Sequence, residues 1–339
     1  MKRYTRITMK KYSFSFKLNL QQQEELKNIL LNGNYKIIPA DHTIIAAETP
    51  YCKINLYKSG TCLIQGEEAE DFVKYVLETN VLKQPSLGYE DILNPEGIQP
   101  HIGVDESGKG DFFGPMIIAS AYVDPHLAHA MREMDVRDSK KITSDDKIFE
   151  MGKSLRKLLA NRFSIVRIGP EAYNRLYIKM RSVNAILAWA HARAIENILA
   201  TVPDCPRAVS DQFGNARQVQ KALMEKGKKI ELIQRHKAES DLAVAAASIL
   251  AREEFLLSLK KMSQNYNIKI PKGVSQSVKN TAINLIKQKG PKILIELSKC
   301  HFKTTDEVLA STGFTRQDLG PLGSVKSKPI RKFTKKTSQ

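Results

Sequence analysis

Between Lys83 and Pro100 the chain reads K-Q-P-S-L-G-Y-E-D-I-L-N-P-E-G-I-Q-P, with three prolines, two glycines and little hydrophobic period. Proline removes a backbone donor and fixes φ, so neither a helix nor a central strand runs through such a segment. A chain of 339 residues broken at this point is long enough to bury a core on each side. The expected layout is a small domain over residues 1–82, a linker over 83–100, a larger domain over 101–320 and a basic, disordered tail over 321–339. From Gly323 onward the sequence holds no acid and almost nothing to bury.

The first domain reads as a small α+β unit. Tyr12–Leu18 alternates apolar and polar residues, the period of a half-buried strand. Gln21–Leu31 carries Leu26, Ile29 and Leu30 on one helical face and is stopped by Asn32-Gly33. Tyr35–Pro39, Thr43–Glu48, Cys52–Tyr57 and Thr61–Gln65 are strand candidates separated by turn chemistry. Glu67–Leu82 is an amphipathic helix with Phe72, Val73, Val76 and Leu77 inward. Two helices on an antiparallel sheet account for all of it.

Charge narrows the partner. Lys and Arg number 53 against 36 Asp and Glu, a net +17 that favours a polyanion. No apolar run reaches spanning length, so nucleic acid fits better than a membrane. The basic start M-K-R-Y-T-R has no apolar region after it and reads as no secretory signal. Cys52, Cys62, Cys205 and Cys300 form no C-x-x-C pair, which suits a reducing cytoplasm and argues against structural zinc. The expectation is a cytoplasmic monomer.

The second domain alternates strand candidates (to Val104, Met116–Val123, Phe163–Ile168, Arg207–Ser210, Lys229–Gln234) with helices (Ile148–Leu159, Ser182–Leu199, Ala243–Leu257, Val278–Lys287, Ile293–Leu297). That pattern implies an α/β mixed sheet with flanking helices. Its densest chemistry is at the start, H-I-G-V-D-E-S-G-K-G-D-F-F-G-P over His101–Pro115. Gly103 to Lys109 nearly satisfies a phosphate-loop spacing, but Gly110 stands where a Ser or Thr would ligate magnesium. Asp105 and Glu106 inside that loop would also repel a nucleotide, so the phosphate-loop reading is rejected. The same carboxylates make sense if divalent ions lie between them and a phosphodiester. Two ions about 4 Å apart activate water and stabilise the leaving oxygen. Mg²⁺ takes carboxylates, waters and substrate phosphate, and needs no His or Cys. An adjacent Asp-Glu pair taken alone is more often plain surface charge.

The surrounding motifs shift that balance. G-V-D-E-S-G-K-G-D-F-F-G-P closely resembles the signature of the type 2 ribonucleases H, and its Ser107-Gly108-Lys109-Gly110 form resembles the HIII branch. The resemblance continues through D-S-K-K-I-T (Asp138–Thr143), S-D-Q-F (Ser210–Phe213), K-A-E-S-D-L-A-V-A-A-A-S-I-L-A-R (Lys237–Arg252) and K-C-H-F-K-T-T (Lys299–Thr305). It implies a ribonuclease H-like catalytic domain preceded by a domain resembling the TATA-box-binding protein that helps bind substrate. It further implies an endonuclease that cuts the RNA strand of RNA–DNA hybrids with Mg²⁺ or Mn²⁺, leaving 3′-hydroxyl and 5′-phosphate ends. By the same resemblance Asp105, Glu106, Asp211 and Glu239 are the catalytic and metal-binding acids, with Asp241 the substitute for Glu239. Ser107, Gly108, Lys109, Gly110, Lys140 and Asn184 are the expected substrate contacts.

Glycines let a backbone approach the ribose 2′-hydroxyl that separates RNA from DNA, which suits the Gly108–Gly110 turn. Asp111 is expected to be a turn or supporting group, and Ser248 to allow close helix packing. Lys36, Lys53 and Lys58 are candidate contacts of the first domain. Two alternatives stand beside this reading: incision at single ribonucleotides in duplex DNA, as in the HII branch, and a non-catalytic nucleic-acid-binding protein that keeps the fold.

Overall fold

The computed structural model describes residues 13–83, 97–136, 139, 142–211, 217–235 and 238–326, without the side chains of Arg217, Gln218 and Glu239. Its contacts divide the chain into two units, Met1–Gly97 and Ile98–Gln339. Most of the expected linker and the end of the tail lie outside the described residues.

In the first unit, β1 (Ser13–Lys17), β2 (Lys36–Ile37), β3 (Thr43–Glu48), β4 (Lys53–Tyr57) and β5 (Thr61–Gln65) form one antiparallel sheet in the order β1-β5-β4-β3-β2. The helices are α1 (Leu20–Asn32) and α2 (Ala69–Phe72), the latter continued by a wider π-type winding over Val73–Leu82. Asn19 opens α1 with a reciprocal cap: its side chain accepts from Gln22 N–H, and the Gln22 side chain accepts from Asn19 N–H. Strand alternation puts Phe14, Cys62, Ile64, Ile54 and Leu56 into a core shared with Leu26, Leu30, Phe72, Val73 and Leu77. Lys53 points the other way, in register with Glu48, which in turn pairs with Lys36 both in register and through an ion pair of 2.7 Å. Lys58 lies in the turn after β4, where its N–H donates to His42 O.

The second unit is built on β6 (His101–Ser107), β7 (Met116–Val123), β8 (Phe163–Ile168), β9 (Arg207–Asp211) and β10 (Glu231–Arg235), in the order β10-β9-β6-β7-β8. β9 runs parallel to β6 and β10, whereas β7 is antiparallel to β6 and β8. The helices are α3 (Pro125–Glu133), α4 (Asp145–Leu159), α5 (Pro170–Met180), α6 (Val183–Leu199), α7 (Arg217–Ala222), α8 (Leu242–Tyr266), α9 (Gln276–Lys289), α10 (Ile293–Leu297) and α11 (Lys303–Ala310).

α8 lies on one face of β6 and α6 on the other. The small side chains Ala243–Ala247 let α8 come down hard on the sheet. A Cβ built on Gly103 would run into the backbone of Ala243 and Val244, so only glycine fits at this crossing. The described part of the expected tail, residues 321–326, is held by contacts. Pro321–Gly323 forms a 3₁₀ turn, and Arg316 donates to Gly323 O and Val325 O.

Candidate active site

Near its end β6 carries two successive acids, and a strand sends successive side chains to opposite faces. Asp105 therefore faces α8, where the Ser248 hydroxyl is within hydrogen-bonding reach. Glu106 faces α6, where Oε2 lies 3.2 Å from His191 Nε2, a fully buried ring. The adjacent acids are thus held from the two faces of the sheet. β9 is parallel to β6 with Ser210 in register with Val104, so Asp211, the next residue, reaches the same end of the sheet as Asp105.

These three carboxylates, Ser107–Gly110, Ser139, Ser248 and Arg252 line one open cleft of about 360 Å³. Gly108 adopts φ +85°, a left-handed conformation that turns the chain away from the strand. Lys109 Nζ returns to Glu106 Oε1 at 3.3 Å. Ser139 and Ser248 share a hydrogen bond of 2.7 Å, and Arg252 donates to Ser139 O, to Ile142 O at 2.8 Å and to Asp145 at 3.2 Å. Arg252 and Ser248, one helical turn apart on α8, so fasten the loop before α4 to the cleft.

The electrostatics of the two acids diverge. Burial, then the charge of Glu106, pushes Asp105 up to about 6. Burial also works against Glu106, but hydrogen bonds and charge from His191 and Lys109 overcome it and hold the group at about 2.

Not every expected residue is in the cleft. Asp241, the substitute for Glu239, is not among the cleft-lining residues and is engaged by the fold. It caps α8, with Oδ1 accepting from Ala243 N–H at 2.9 Å and Val244 N–H at 3.2 Å. The same oxygen lies 2.9 Å from His101 Nε2, and Arg235 reaches Oδ2 at 3.3 Å. The backbone of Glu239 sits in the 3₁₀ turn Ala238–Ser240 just before α8, and its side chain lies outside the described residues, as does Lys140. Asn184, half-buried in the first turn of α6, is not among the cleft-lining residues.

His191, Ser139 and Arg252 were missed as site residues, and Ser248 lines the cleft where only helix packing was expected. Arg252 and Ser248 carried a legible signal, a spacing of four within one motif. His191 carried none, since an isolated histidine in an apolar helix looks like core. Among the described residues no group of three or more His, Cys, Asp or Glu is gathered tightly enough to hold an ion by itself. No helix among them is long and apolar enough to cross a membrane.

The family model described as Ribonuclease HII matches residues 102–305. Ribonuclease HIII of Chlamydia pneumoniae is 37% identical over 297 residues, covering 87% of this chain and 97% of that protein. The chain belongs to the ribonuclease HII family, in its HIII branch. It is therefore a ribonuclease H, an enzyme. Ribonuclease HIII of Protochlamydia amoebophila is 36% identical and covers the same share of the chain. The crystal structure of Bst-RNase HIII in complex with Mn²⁺ superposes with a TM-score of 0.61 at 24% identity, covering 88% of this chain and 99% of that one, a likeness of fold. Both the sheet-and-helix unit and the antiparallel unit before it agree with the expected fold class.

Proposed function

We propose that this ribonuclease H cuts the RNA strand of RNA–DNA hybrids with divalent metal ions held by Asp105, Glu106, Asp211 and Glu239. The observation that carries the reading is that three carboxylates from two neighbouring strands line one open cleft beside a glycine turn. The donor set fits Mg²⁺ or Mn²⁺: oxygen ligands only, too few to enclose an ion, leaving positions for waters and a substrate phosphate. Bound there, such ions would supply an activated water and positive charge at the leaving oxygen, chemistry that accords with 3′-hydroxyl and 5′-phosphate ends.

The chain's own residues do the rest. His191 and Ser248 orient Glu106 and Asp105 from opposite faces of the sheet, as residues behind metal ligands do. The Gly108–Gly110 turn brings backbone groups to the ribose 2′-hydroxyl, with Ser107 beside it. Lys109 pairs with Glu106 in the free protein and exchanges that partner for phosphate when substrate arrives. The first unit adds affinity through Lys53, Lys58 and Lys36, contacts that govern salt dependence more than sequence preference.

Cleavage of a uniform RNA–DNA hybrid with and without Mg²⁺ or Mn²⁺ tests the reading, with Asp105→Asn beside the wild type. The expected result is metal-dependent cutting that falls by about a thousandfold or more in the variant while hybrid binding persists. Equal cutting by Asp105→Asn, or cutting in chelator, overturns it. A duplex carrying one ribonucleotide, assayed in parallel, separates HIII from HII behaviour.

A further inference from the structure

Lys299 is a charged side chain with no exposure to solvent, in a motif to which the proposed chemistry assigns no task. An unpartnered ammonium is too costly to bury, so its partners identify what it does. Nζ donates to Gly114 O at 2.6 Å and Phe113 O at 3.3 Å. The Lys299 N–H donates to Phe112 O and the Gly114 N–H to Leu297 O, both at 2.9 Å, with Phe113 bridged to Ser298 between them. Leu297–Lys299 thus runs beside Phe112–Gly114 as a short added strand.

That strand is itself braced. The buried Asn174 of α5 donates to Ser298 O at 3.0 Å and accepts from Cys300 N–H at 2.9 Å. The brace therefore passes from α5 through Ser298–Cys300 and the Lys299 ammonium to the backbone of Phe113 and Gly114.

The far end of the brace is the cleft. A Cβ on Gly108 would collide with the Pro115 carbonyl, one residue beyond the carbonyl that Lys299 holds, so the glycine turn rests directly on this backbone. Asp111 ties the same loop from the other side, accepting from Gly273 N–H at 2.6 Å. Burial draws the Lys299 ammonium down to about 7 while the charge of Asp111 pulls it up. A lysine that merely filled the core would extend its ammonium to solvent. This one spends its donors on the loop behind the turn.

We propose that Lys299 is a positioning residue, whose ammonium grips the Phe113 and Gly114 carbonyls and so holds the Gly108–Gly110 turn in its substrate-facing conformation. The inference rests on the assignment of that turn to the hybrid. The test compares full-length wild type with Lys299→Met, which keeps length and removes the donors, and Lys299→Gln, which keeps a shorter one. Steady-state cleavage of a uniform hybrid is read together with hydrogen exchange of peptides spanning residues 108–115. KM should rise about tenfold in Lys299→Met and less in Lys299→Gln. kcat should stay within about threefold of wild type, and exchange should quicken over 108–115 ahead of the remaining core.

A folded Lys299→Met with unchanged KM and unchanged local exchange overturns the proposal. So does exchange that quickens uniformly across the core, or failure of both variants to fold, since either makes Lys299 a requirement of the core and not of the turn. If wild type cuts no hybrid, the functional reading fails and the exchange comparison still decides what Lys299 holds.

Discussion

Asp241 and Glu239, two residues apart, show how little spacing alone says about a carboxylate's work. Asp241 is buried and accepts from two amides at the start of α8 while facing His101 and Arg235. Burial opposes its charge, and the His101 hydrogen bond and charge more than offset that, holding Asp241 below the usual carboxylate range. Removing it takes away a helix cap and leaves buried partners uncompensated. Asp241→Ala should therefore lower unfolding free energy by about 3 kcal/mol, read by denaturant melts. Glu239→Gln should leave the melt nearly unchanged and abolish cleavage. The opposite pairing of effects would exchange the two roles and return Asp241 to the metal site.

At the scale of elements, starts and stops were legible where local chemistry was strong. The strands Thr43–Glu48, Thr61–Gln65, Met116–Val123 and Phe163–Ile168 fall where alternation or apolar runs placed them. α3, α5 and α11 were passed over, although Asp124-Pro125 and Gly169-Pro170 are good helix openings with proline in the first turn. All three are short, at 8 to 11 residues, and packing on neighbouring elements supplies the stability that an isolated helix of that length lacks.

The C-terminal turn is another element visible only in three dimensions. Arg316 clamps Asp306 through two nitrogens at 2.7 and 3.0 Å and also holds the carbonyls of Cys300 and Gly323. The Arg316 hydrogen bond is the main cause holding Asp306 below its usual range. A depressed carboxylate stabilises the folded form above its unfolded value, about 3.9, and that contribution is lost as pH falls through the lower folded value. Hydrogen exchange at residues 314–326 should accordingly quicken below about pH 4, earlier than in the central sheet. In Arg316→Ala the segment should be loose at every pH; a clamp that stays closed in acid would contradict this.

The molecule as a whole is two units with separate cores, one gathered on Leu26, Ile54 and Ile64, the other on the central sheet and α8. A fragment beginning at Ile98 keeps the whole second sheet and the cleft. It should fold, retain the chemical step, and bind hybrid about tenfold or more weakly because one of two linked contacts is gone. Binding measured against salt should also show a shallower slope for the fragment. Loss of folding on removing the first unit would mean that the cores are not independent.

By itself the sequence determined the contiguous features: the strand that carries Asp105-Glu106 near its end, the glycine turn after it and the alanine-rich helix that follows Asp241. These depend on a few neighbouring residues, whose spacing dictates period, capping and backbone freedom. Only the tertiary structure decided which remote groups meet them. His191 reaches Glu106 across 85 positions, Lys299 reaches Gly114 across 185, and His101 reaches Asp241 across 140. Such pairings follow from strand order and from the helix covering each face. No local pattern encodes them, and nothing local marked a buried histidine on α6 as the partner of Glu106 or a buried lysine as the partner of the Gly114 carbonyl.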